Sequence, residues 1–98
     1  EYVYVLDDPK TFRRDPSSNQ YDPRVSEMTV VGTTHLVVLE RTEATTKLYE
    51  VDLGKATNII GTPWDQIATS PSLEQLSVAE ALIEPVKKSL RFDTADFP

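Results

Sequence analysis

Cysteine is absent, which removes disulfides, thiolate zinc sites and cysteine nucleophiles together. Histidine occurs once, at His35, so histidine-rich metal clusters are excluded and a Ser-His-Asp arrangement could draw on one imidazole at most. The three glycines, Gly32, Gly54 and Gly61, stand too far apart for a phosphate-cradling loop. No apolar run approaches the ~18 residues of a membrane span, and no basic stretch leads into an apolar one, so neither a membrane span nor a signal peptide is predicted in this sequence. Positive charge is also in deficit: ten Lys and Arg face sixteen Asp and Glu, a net charge of −6 that repels a phosphate backbone and argues against nucleic-acid binding.

What is present is β-sheet pattern. Tyr2-Val3-Tyr4-Val5-Leu6, stopped by Asp7-Asp8-Pro9, predicts a strand buried on both faces. Residues 10–24 are polar, contain Pro16 and Pro23, and show neither period; they predict a long loop. Three further strands are expected at Val25–Val31, His35–Thr42 and Lys47–Leu53, joined by turns short enough to require an antiparallel meander. Leu36-Val37-Val38-Leu39 is apolar on both faces and predicts an interior strand, whereas Tyr49, Val51 and Leu53 alternate with Glu50 and Asp52. Between Gly54 and Pro85 the pattern lapses. Thr62-Pro63-Trp64-Asp65 and Ser77-Val78-Ala79-Glu80 carry helix-start signals, predicting a short helical insertion in which Trp64 is an apolar anchor. Val86–Asp93 then resumes alternation as an outer strand.

Four consecutive antiparallel strands with a charged, one-sided last strand match a β-propeller blade read from the channel outward. On that reading residues 1–8 hold the outer strand of a preceding blade, residues 25–93 hold one blade with an insertion at 54–85, and the whole chain is a piece of a larger domain. Such a blade has two uncovered faces and is expected to self-associate, through Tyr2–Leu6 or Val86–Asp93. A free-standing sandwich would need more strands.

Glu27 is a carboxylate in a strand, in phase with Val25, Thr29 and Val31. On an innermost strand it would face a wet channel, as a cation ligand or an acid-base group; alternatively it is a solvated strand-end residue paired with Arg24 or Arg41. Glu40-Arg41 leaves an apolar run, where the charges must reach solvent or find partners. Asp7-Asp8 before proline reads as turn chemistry, His35 as solvated after a turn, and Lys87, Lys88 and Arg91 as the polar rim of an outer strand.

Ser26-Glu27-Met28, Leu36 to Arg41, Lys47 to Leu53, and Ala56-Thr57-Asn58 together resemble the esterase-like, phytase-like β-propeller family. Asp15-Pro16-Ser17-Ser18-Asn19 and Ser70 to Leu76 are similar to segments of its members. The resemblance implies a secreted or periplasmic protein that hydrolyses ester or phosphate-ester substrates, with calcium as a candidate cofactor of the parent protein. Its site candidates here are Glu27, Glu40 and Arg41 for catalysis and Glu27 for metal, the rest of the site lying in other blades. The competing function is a binding propeller that recognises a ligand or partner through its loops and channel mouth without turnover.

Overall fold

The computed structural model describes residues 1–65 and 82–97. Backbone contacts divide the chain into two compact units, one formed by Leu6–Asp52 with Lys88–Pro98 and the other by Glu1–Val5 with Leu53–Lys87.

The chain is all-β: strands β1 (Arg24–Val30), β2 (His35–Arg41), β3 (Thr46–Asp52) and β4 (Lys87–Asp93) form one antiparallel meander in the order β1-β2-β3-β4. Each strand lies within one residue of the boundaries that alternation predicts. The β2–β3 register places Leu36 opposite Val51, Val38 opposite Tyr49 and Glu40 opposite Lys47. Directly opposed residues share a face. On that face Val38, Glu40, Lys47, Tyr49 and Val51 are all buried, while Val37, Leu39, Leu48 and Glu50 on the other are half-buried. β2 is therefore not enclosed on both sides, as its apolar run suggests. Its neighbour β3 alternates as expected.

The covered face is closed by the segment that leads into β1. Asp8 caps a 3-10 turn at Pro9–Thr11 by accepting from the Lys10 amide at 2.9 Å. The turn delivers Phe12, 0 % exposed, against the aliphatic chain and ammonium of Lys47, whose Nζ lies 4.3 Å from the ring centroid. Where the sequence predicts only a loop, a polar strap with one aromatic anchor performs the work of a covering layer.

β1 is exposed at all seven positions and forms the edge of the sheet. A bulge between Val25 and Glu27 sets Val25 opposite Glu40 but Glu27 opposite Leu39. The extra residue, Ser26, breaks the phase. Val25 and Glu27 consequently face opposite sides, contrary to simple alternation.

In the second unit, Tyr2–Leu6 (of which Leu6 belongs to the first) forms no strand, correcting the expectation from its β-branched and aromatic composition. Isolated backbone bonds replace a ladder: the Ile59 amide donates to Glu1 O at 2.8 Å and the Val86 amide to Val3 O at 2.9 Å. With Tyr2 42 % and Val5 45 % exposed, the run is not buried on both faces. Among the described residues of this unit Ile59, Ile83 and Val86 are buried, and Thr57 ties to Glu84 through both its amide and its hydroxyl. Thr62-Pro63 initiates a single 3-10 turn, Pro63–Asp65, and Trp64 is only half-buried. The other expected helix start, at Ser77, lies outside the described residues. Among the described residues no α-helix occurs, so what is described of the helical insertion is one turn.

Candidate functional site

The in-phase charges of the covered face meet at one place. Glu40 of β2 and Lys47 of β3 are cross-strand neighbours, Tyr49 lies two residues along on the same face, and Lys88 approaches from β4. Asp7 enters from the strap. Its carboxylate accepts from Lys47 Nζ at 2.7 Å, Lys88 Nζ at 2.6 Å and the Tyr49 hydroxyl. Glu40, 0 % exposed, accepts from Lys88 Nζ at 2.7 Å through one oxygen and from the Asp7 amide at 2.9 Å through the other. Lys47 donates also to Thr11 Oγ1 at 2.9 Å, and Lys88 Nζ sits 4.4 Å from the centroid of the Tyr49 ring.

Two carboxylates and two ammonium groups sum to zero, the condition under which burying charge is tolerable. Among the described residues no buried side-chain nitrogen or oxygen lacks a hydrogen bond, the second condition. Burial pushes the Asp7 carboxyl up, but hydrogen bonds from Lys47, Lys88 and Tyr49 outweigh it and hold the group below its ordinary 3.8. Burial, and then the hydrogen bond to Asp7, push the Tyr49 hydroxyl well above its ordinary 10.0.

These shifts give stability a pH dependence with a defined sign. Asp7 titrates lower folded than unfolded, so its contribution is complete above 3.8 and is lost as pH falls below it. Tyr49 titrates higher when folded, so its contribution is complete below 10.0 and is lost as pH rises above it. Urea midpoints measured against pH are expected to be level from about 5 to 9 and to fall on both sides. In Tyr49→Phe the alkaline fall should shrink; an unchanged alkaline limb would remove Tyr49 from the account.

A second polar cluster fixes the β2–β3 turn. Asp15 accepts from Thr42 Oγ1 at 2.5 Å, Thr45 Oγ1 at 2.6 Å and the Ala44 amide at 3.0 Å, and the hydroxyl bonds from Thr42 and then Thr45 hold its carboxyl below the ordinary range. One strap residue thus satisfies three donors of the hairpin. Asp15→Ala should destabilise the chain by about 2 kcal/mol, since a carboxylate's hydrogen bonds are among the stronger ones. Thermal unfolding measures it. A change below about 0.5 kcal/mol, the level of an ordinary surface substitution, would show that solvent replaces these bonds without cost. Beside Asp15 an open depression of about 460 Å³ is lined by Asp22, Arg24, Thr42 and Glu43.

The three site candidates read from the sequence are not brought together. Glu27 stands exposed on the edge strand, opposite Leu39 and hence on the face away from Glu40; no ion pair reaches it among the described residues. Arg41, half-buried, donates from Nε to Ser26 Oγ at 2.6 Å, bracing the bulge rather than pairing with Glu27. Glu40 is committed to the ion cluster. Among the described residues no group of three or more His, Asp or Glu side chains is placed to hold a metal ion.

Other residues differ from their expected settings. His35 faces Asp52 across the β2–β3 pair, with Nε2 3.8 Å from the carboxylate, instead of standing alone in solvent. Of the expected rim, Lys87 is exposed and Arg91 pairs with Glu50 at 2.9 Å, but Lys88 turns inward. Asp7, expected to be turn chemistry like Asp8, is instead a member of the cluster. The signal that could have found Glu40 and Lys47 is phase: Lys47 is in step with Tyr49 and Val51, and Glu40 with Leu36 and Val38. Lys88 gives no such signal, because Leu90 and Phe92, in step with it, are exposed. Charges in phase with an apolar face need partners.

No protein-family model matches the chain, and neither the curated proteins nor the solved structures include a significant match.

Proposed function

We propose that the chain forms one blade of a larger phytase-like, esterase-like β-propeller, and that the whole protein is a secreted or periplasmic hydrolase of ester or phosphate-ester substrates. The observation that carries this reading is β1. It is exposed along its length while presenting Met28 at 68 % and Val30 at 71 % exposure, together with Glu27. A strand with a carboxylate on one side and uncovered apolar residues on the other suits the inner strand of a blade, whose surroundings are other blades and a wet channel. Glu27 is then a channel group that can act as acid or base, or join oxygens from other blades around calcium. Glu40 and Arg41 hold the second strand and the bulge that aims it.

Assay of the longest natural form containing this sequence, for phosphate release and carboxylic-ester cleavage with and without calcium, tests the reading. Turnover is expected on one of the two. Glu27→Gln should lower that turnover by about a hundredfold or more, the scale of lost acid-base catalysis, and leave the melting temperature unchanged. Absence of turnover on either class would replace the hydrolase by a binding propeller, and an unimpaired Glu27→Gln would remove Glu27 from the site.

The same uncovered strand predicts that the isolated 98-residue chain self-associates. Light scattering after size exclusion should show a mass that falls on dilution. A monomer at every concentration would mean that the chain closes its own core.

A further inference from the structure

We propose that Lys47, Lys88 and the Tyr49 hydroxyl form a binding site for a small oxyanion, a phosphate or a phosphate monoester, that the Asp7 carboxylate occupies from within the chain. The three donors belong to the sheet, Lys47 and Tyr49 on β3 and Lys88 on β4. Their acceptor does not. Asp7 lies on an irregular segment without a ladder, between Leu6, 40 % exposed, and the exposed Asp8. Besides the carboxylate, its amide donates to Glu40 at 2.9 Å.

Three donors converge on a single carboxylate, with two at 2.6 and 2.7 Å from cationic nitrogens, which is the geometry of charge-assisted oxyanion recognition. Withdrawing Asp7 leaves two ammonium groups against the one carboxylate of Glu40, a net positive charge at a site walled by the Phe12 and Tyr49 rings. A phosphate group has enough oxygens to meet all three donors. Phe12 stays buried and anchors the strap beyond the 3-10 turn, so releasing the Asp7 carboxylate does not require the Phe12 anchor to leave the sheet. Asp7 is in this sense an internal competitor, and the site is closed while it is in place. The assignment depends only on the sheet and the strap, and holds whether or not the sheet is a propeller blade.

The test vacates the site. In Asp7→Gly, inorganic phosphate is expected to raise the melting temperature by on the order of 10 °C at a hundred times its dissociation constant, by mass action on the folded state. Acetate should do so more weakly, because it restores only the missing carboxylate. Sodium chloride at matched ionic strength controls for screening. The unsubstituted chain should respond less, and Asp7→Gly with Lys88→Met should not respond. An equal phosphate response in all three proteins, or none in Asp7→Gly, overturns the proposal. Should Asp7→Gly fail to fold, the unsubstituted chain supplies the answer through amide exchange. Phosphate should then speed exchange at the Asp7 amide, by releasing it from Glu40, without speeding the β2–β3 ladder; an Asp7 amide indifferent to phosphate overturns the proposal equally.

Discussion

Glu40→Gln is expected to cost about 3–5 kcal/mol, because it removes one charge from a buried set that is neutral only when complete. Glutamine matches glutamate in shape, so packing changes little. What changes is that Lys88, its side chain 18 % exposed and 2.7 Å from the lost carboxylate oxygen, loses one of its two anionic partners among the described residues. Both Glu40 oxygens accept, so a glutamine here sets its NH2 donor against either the Lys88 ammonium or the Asp7 amide. A domain of this size has only about 5–15 kcal/mol of stability in total, so the variant should sit close to unfolding at ordinary temperature. Chemical denaturation gives the number. A double-mutant cycle with Lys88→Met identifies its origin: the double variant should lose less than the sum of the singles, with a coupling of about 1–3 kcal/mol. Strict additivity would mean that the two groups do not act as a pair.

Phe12→Ala is expected to cost a similar ~3–5 kcal/mol through a different mechanism, the loss of a buried ring and the cavity it leaves. Phe12 is fully enclosed, so no solvent-side relaxation offsets the loss. Its ring also carries the Lys47 ammonium at 4.3 Å, and that contact disappears with it. Phe12→Leu keeps most of the volume and should cost less than half as much. Both variants are compared by urea midpoint at neutral pH. Equal losses in the two would show that the ring's face, and not its volume, holds the strap.

The sheet was legible in the sequence because alternation and short turns are local signals, and the four strands fall where Val25, His35, Lys47 and Val86 place them to within one residue. The covering of that sheet was not. Residues 7–15 are mostly polar, and nothing in their order reveals that Asp7, Phe12 and Asp15 reach partners 27 or more residues away in β2, β3 and the turn between them. Composition misled at Tyr2–Leu6, whose strand-forming residues do not form a strand. It misled again at β1, where one inserted serine moves Glu27 to the face opposite Glu40. Of the candidate site, Glu40 was identified as a charge needing a partner, but its partners lay at Asp7 and Lys88, two positions that read as turn and rim. Long-range ion pairs leave a trace only in phase, and Lys47, in step with the buried Tyr49 and Val51, shows that a lysine on an apolar face is as informative as a glutamate there.

A buried ion cluster fastens the strap to the sheet, and amide hydrogen exchange at Asp7 reports on that fastening. The Asp7 amide donates to a carboxylate that is itself fully buried and held by Lys88. In the unsubstituted chain it should exchange far more slowly than the loop amides of residues 18–20, and in Glu40→Gln its protection should fall further than that of the β2–β3 amides, which keep whatever protection global stability still gives. Exchange at Asp7 as fast as in those loops, in the unsubstituted chain at neutral pH, would contradict the account.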